Sequence, residues 1–189
     1  MKRLIPFVLL AIFACNHQSK LNNDFYKVVN MYLLDSLKNV DIAVLNTAPI
    51  YQGSIKDNPP IHLDTINLRA YFELKLIDSI DINFIYNQID SSSYVMNPNK
   101  LKIRTFSYEN LTKMATKSSS SDIYDILKKT FDASNYIEIS TPLYSKDGDT
   151  IILYLGIHRG KLSGQGLQLF FKKINSKWIL IRDVGTWKS

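Results

Sequence analysis

Apolar residues along this chain fall first in one almost unbroken run, Leu4 to Ala14, then at helical spacing, and in the last third at strand spacing. Phe25, Val28, Val29, Tyr32, Leu33 and Leu37 share one helical face, which predicts an amphipathic helix capped at Asn23 or Asp24 and running to about Asn39. From Val40 to Leu63 the chain carries Pro49, Gly53, Pro59 and Pro60, so a long irregular connection is expected, with room for a short extended piece. LRAYFELKLI fits strand and helix equally. SIDINFIYNQID, with Ile82, Ile85, Tyr86 and Ile89 on one face, predicts a second helix ended by Ser91 to Ser93. KLKIRTF alternates as a strand does. Ser107 suits the cap of a short helix through Met114, and Lys117 to Ser121 form a serine loop. The last serine of that loop is placed to cap DIYDILKKTF, whose buried stripe is Ile123, Ile126, Leu127 and Phe131.

The period then changes. YIEIS (Tyr136–Ser140), DTIILYLGIH (Asp149–His158), GLQLFFKKI (Gly166–Ile174) and KWILIRDVG (Lys177–Gly185) are rich in β-branched and aromatic residues. Asp147-Gly148 and Asn175-Ser176 supply the chemistry of tight hairpins, so the four runs predict an antiparallel meander. In the last run, alternation sets Trp178, Leu180 and Arg182 against Ile179, Ile181 and Asp183, and the isoleucine face is expected to be core, leaving Trp178 exposed or packed on the hairpin, with core or cross-strand packing a simpler account of it than a stacking platform. The fold class is α+β: about three helices packed on one face of an antiparallel sheet that ends in a four-stranded C-terminal meander.

The N-terminal run changes the picture of location. Lys2 and Arg3 precede it, Ala14 and Cys15 close it, and Asn16 to Lys20 are polar, which is the anatomy of a secretory signal. As a helix the run would cover ~16 Å, about half the hydrocarbon core, so it is too short for a membrane span. Ile12-Phe13-Ala14-Cys15 resembles the lipobox of bacterial lipoproteins, with Phe13 bulkier than the usual occupant. That resemblance implies cleavage before Cys15, acylation of Cys15, including palmitate, and an outer-membrane destination, because Asn16 is not the aspartate that retains many lipoproteins at the inner membrane. An ordinary signal peptide cut elsewhere is the alternative. The expected organisation is a signal peptide at residues 1–14, a lipidated cysteine and polar tether at 15–23, and a single domain at 24–189. Cys15 is the only cysteine, so the domain is expected to rely on its core, for which 46% hydrophobic content is ample. The formal charge of +6 is spread over separate lysines and reads as solvated faces, and an exported protein is not expected to bind nucleic acid.

The last ~50 residues, from STPLYSKDGD to the terminal WKS, together with DINFIYNQID upstream, are similar to uncharacterised bacterial exported lipoproteins, a family with no established activity. The likeness rests on a serine-threonine-proline segment, a glycine-rich hairpin, a K-W turn and a terminal W-x-S, and it implies a fold and an envelope location only. Many such proteins read C-G-G-L-C-G-x-G at the turn where this chain reads Arg159-Gly160-Lys161-Leu162-Ser163-Gly164-Gln165-Gly166, so any role of those two cysteines is absent here.

Candidate chemistry is sparse. Gly160, Lys161, Gly164 and Gly166, with Trp178, form a candidate binding turn, although the glycines run into a strand rather than a helix and do not make a phosphate loop. Ser163 beside His158 invites a hydrolase reading but lacks G-x-S-x-G. His17, His62 and His158 are isolated, and Asp147 and Asp149 flank a turn glycine, so neither metal nor cofactor is expected. Glu73, Asp78, Asp81 and Glu138 become an acid-base pair only if the fold joins them. The sequence therefore points to a lipid-anchored envelope protein acting as a non-catalytic binding domain. Its expected partners are the membrane, through acyl chains on Cys15, and an unknown envelope protein or glycan. The alternative is an envelope hydrolase whose carboxylates converge in the fold.

Overall fold

The computed structural model describes residues 23–35, 42–45, 65–89, 96–107, 113, 122–160 and 162–189. Cys15, the tether, Lys161 and the serine loop lie outside the described residues.

Helix α1 (residues 23–35) buries Phe25, Val28, Val29 and Leu33 of the expected stripe, half-buries Tyr32 and adds Tyr26, while Leu37 lies outside the described residues. Within the expected irregular connection the chain forms β1 (Ile42–Leu45). The ambiguous LRAYFELKLI resolves as helix α2 (Thr65–Glu73) and a turn closed by Lys75 at φ 57°, and α3 (Ser79–Ile89) follows as expected. KLKIRTF is strand only at its end: a 3-10 turn, Pro98–Lys100, precedes the two-residue β2 (Thr105–Phe106). Helix α4 (Ile123–Phe131) is capped by Asp122 rather than Ser121, since the Asp122 carboxylate accepts the Tyr124 N–H at 3.0 Å.

The meander is as expected. β3 (Asn135–Ile139), β5 (Thr150–His158), β6 (Gly164–Ile174) and β7 (Lys177–Lys188) are antiparallel neighbours, with Asn175 and Ser176 at φ 49° and 64° making the β6–β7 turn. A further short strand, β4 (Leu143–Tyr144), pairs with the start of β5 beyond a break in β3. Past β3 the sheet continues in parallel, giving the order β2-β1-β3-β5-β6-β7 and a mixed sheet of seven strands.

The helices divide between both faces instead of sharing one, because β5 and β6 are apolar on both. On one face α1 covers Ile137, Ile139, Leu153, Leu155, Leu169 and Phe171. On the other, α2 and α3 cover Ile152 and Phe170, with Tyr71 edge-on to Phe170 at 4.7 Å, while α4 sets Ile126 and Leu127 against Ala43 and Phe106. Between these two helical covers the second face carries polar groups, and the candidate site lies there.

Candidate functional site: an aromatic cleft beside the glycine turn

Pairing places Tyr136 opposite His158 and Glu138 opposite Gly156, so strand alternation brings Tyr136, Glu138, Gly156 and His158 to one face. β5 ends at His158; Arg159 N–H donates to the Ser163 carbonyl at 2.8 Å, and Gly160 turns the chain at φ 137°, a conformation that favours glycine. The α4 N-terminus approaches from the side. Tyr124 donates its hydroxyl hydrogen to the Gly160 carbonyl, which ties α4 to the turn. The result is an open cleft of about 550 Å³ lined by Asp122, Ile123, Tyr124, Tyr136, His158, Gly160, Ser163, Gly164 and Ser189.

His158 is the most constrained group in the cleft. Its ring stacks on Tyr136 at 4.3 Å and 8°, and Trp187 lies tilted against it at 5.7 Å. Its Nε2 is buried, 3.4 Å from Glu138 Oε2, with no hydrogen-bond partner among the described residues. Gly156 permits this approach, since a Cβ there would come 3.2 Å from Nε2. Burial pushes the Tyr136 hydroxyl far above its ordinary pKa, and the Glu138 charge adds to the effect. Burial, with the Asp122 and Glu138 charges, likewise raises Tyr124. Both phenols therefore stay neutral and available as hydrogen-bonding groups.

The candidate binding turn is only partly assembled. Gly160 and Gly164 line the cleft, but the Trp187 indole roofs Gly166, where a Cβ would come 2.2 Å from indole Nε1; the indole N–H donates to the Tyr154 hydroxyl. Trp178 lies at the far end of β6, paired with Lys173, and it is buried while Ile179 and Ile181 are exposed, the reverse of the expected facing. The register sets this facing: Trp178 and Leu180 pair with Lys173 and Phe171 and share the face that meets the α1 core. Ile181 and Thr186 are extra residues between the pairs Phe171–Leu180 and Phe170–Arg182 and between Leu167–Gly185 and Gly166–Trp187. The first bulge sends Arg182 to the other face, so alternation does not run through the strand.

Asp81 and Asp147 hold turns together, and His17 and His62 lie outside the described residues. Asp81 accepts the Lys146 N–H at 2.8 Å and the Asp78 N–H at 3.2 Å, pinning the start of α3 to the β4–β5 turn. Asp147 accepts from Ser145 Oγ at 2.6 Å inside that turn. Ser163 and His158 do line one cleft. Among the described residues no cluster of three metal-ligating side chains occurs, and no helix is long and apolar enough to cross a membrane. Pattern alone does not mark Asp122, Tyr124, Tyr136 or Gly156 as site residues: the register of β3 on β5 brings Tyr136 and Gly156 there, and the docking of the α4 N-terminus on the Gly160 turn brings Asp122 and Tyr124.

In comparisons with protein-family models, with curated proteins and with solved structures, the chain finds no match.

Proposed function

We propose that this is a lipid-anchored envelope protein, related to the exported lipoproteins its C-terminal third resembles, and that its α+β domain acts by binding at the aromatic cleft. One observation supports the reading: the cleft lies at the end of the sheet opposite the start of α1. The Asp24 carboxylate, at the start of α1, meets Lys173 at the far end of β6, whereas Gly164 at the near end lines the cleft. The length of β6 separates them by ~30 Å at about 3.3 Å per residue. A domain held through Cys15 and a short tether thus presents the cleft away from the bilayer. Two or three acyl chains hold such a domain stably, at about 0.8 kcal/mol per buried CH₂, where a single chain is marginal.

The experiment is metabolic labelling of the full chain with an alkyne fatty acid, followed by fractionation, combined with a photo-cross-linking residue at Ser163 or, as control, at exposed Lys129 on α4. Wild type is expected to take up label and sediment with membranes, Cys15→Ser to be released, and Ser163 to give discrete cross-links that Lys129 does not. An unlabelled wild type would sink the anchor; identical cross-links from both positions would sink the cleft.

The meeting of Glu138 with His158 in a cleft that also contains Ser163 favours a second reading, an envelope hydrolase with His158 as base. Labelling of Ser163 by a fluorophosphonate, abolished in His158→Ala, would support it.

A further inference from the structure

His158 Nε2 is shielded from water and faces one polar neighbour, Glu138 Oε2, at 3.4 Å. Neutral imidazole carries a single proton, on Nδ1 or on Nε2, while an ionised carboxylate only accepts. If Nε2 were the bare nitrogen, its lone pair would face the carboxylate oxygen where water does not screen the repulsion. With the proton on Nε2 the two groups attract, and a closure of a few tenths of an ångström completes a hydrogen bond of about 3 Å. The stack on Tyr136 and the close Gly156 floor limit how far the ring can turn from Glu138.

We infer that Glu138 is a positioning residue that holds His158 in the Nε2–H form, keeping Nδ1 as a hydrogen-bond acceptor for a hydroxyl-bearing sugar ring bound in the cleft. The inference rests on the binding reading above. The ligand class follows from the lining. Tyr124 lines the cleft with an aromatic ring of the kind on which the C–H face of a sugar packs, and Ser163 and Asp122 add oxygen groups of the kind that meet hydroxyls. The Asp122 carboxylate in the lining favours a ligand that presents hydroxyl hydrogens over an anionic one. The volume lies within the ~300–1,000 Å³ of small-ligand sites.

The test uses the ¹⁵N-labelled full chain in detergent micelles, with His158 assigned by its loss in His158→Gln. Wild type is expected to show His158 protonated at Nε2 with a slowly exchanging Nε2–H resonance. Glu138→Ala should lose that resonance and Glu138→Gln, which keeps an acceptor oxygen, should retain it, with backbone amide spectra confirming that both variants fold. Titration with the tetramer of N-acetylglucosamine and with maltotetraose is expected to move Nδ1 and the Tyr136 ring saturably with at least one. Glu138→Ala should weaken that binding about tenfold or more, and Glu138→Gln about twofold at most. A proton on Nδ1, or an Nε2–H resonance indifferent to Glu138→Ala, would overturn the positioning role. Saturable shifts with a peptide but with neither saccharide, or no shift with any of them, would overturn the sugar assignment. Cross-linking from Ser163 is unaffected by these outcomes, so failure here is distinguishable from failure of the binding reading.

Discussion

Asp24 is almost fully buried between two ammonium groups, 2.8 Å from Lys27 and 2.8 Å from Lys173. Burial by itself would raise its pKa, but the hydrogen bonds and charges of Lys173 and Lys27 outweigh that and hold the carboxyl below its ordinary value. A lowered folded-state pKa means the stabilisation is complete above the unfolded value of about 4 and is lost as pH falls through the folded one. Asp24→Asn is expected to remove about 1–3 kcal/mol at pH 7, less than a fully enclosed pair because both lysines are partly solvated, and to flatten the acid limb below pH ~4. Urea titrations from pH 2 to 7 check both. Gly166 makes the complementary point about shape. Gly166→Ala drives a methyl into the Trp187 indole and the Thr186 hydroxyl and is expected to destabilise by about 1–3 kcal/mol, while Gly185→Ala, with nothing within 4 Å, should lie within about 1 kcal/mol of wild type. Denaturation of the two variants side by side separates crowding from chain entropy.

Among the elements, the break between β3 and β4 shows how a buried strand is interrupted without orphaning its partner. At Ser140-Thr141-Pro142 the chain leaves the β5 edge, and the Ser140 hydroxyl oxygen accepts the Tyr154 N–H at 2.9 Å, while Ser140 N–H donates to the Tyr154 carbonyl at 3.0 Å. Ser145 repeats the device below β4, accepting the Thr150 N–H at 2.9 Å. Both serines are buried, and an unpartnered amide at either place costs about 1–3 kcal/mol. Ser140→Ala is therefore expected to lose that amount and to speed hydrogen exchange at the Tyr154 amide selectively, whereas serine at an exposed strand end would show neither effect. The β6–β7 pair uses another device, the bulges at Ile181 and Thr186, which twist a long edge strand and interrupt the run of groups available to another chain.

For the whole molecule, the shared sheet makes the two faces one cooperative unit. β5 gives Ile152 to one core and Leu153 to the other, and β6 gives Phe170 and Phe171 in the same way. Phe171→Ala is expected to cost about 3–5 kcal/mol and to shift helical circular dichroism and tryptophan fluorescence together, because α1 and α2 cannot leave independently of the strands between them. Transitions that separate by probe would contradict that coupling. Raised phenol pKa values set the alkaline limit: burial lifts Tyr136, Tyr144 and Tyr154, so the protonated forms favour the folded state and stability should fall as pH rises past the unfolded tyrosine value of about 10.

The sequence by itself determined the features carried by local pattern. Helical periodicity placed α1, α3 and the stripe of α4, and turn chemistry at Asp147-Gly148 and Asn175-Ser176 placed the hairpins; each is fixed by residues close in the chain. The continuous apolar runs of β5 and β6 also contained the two-sided burial, since a strand with one wet face alternates and these do not. Tertiary structure alone decided the facing of Trp178, because either face of KWILIRDVG could meet α1 and the register on β6 chose the one with Trp178 and Leu180, after which the extra residue Ile181 turns Arg182 away. It also decided the cleft. Glu138 and His158 are distant in the chain, and they meet over Gly156 only because β3 pairs with β5 in one particular register. That register is a non-local property, and no short window of sequence encodes it.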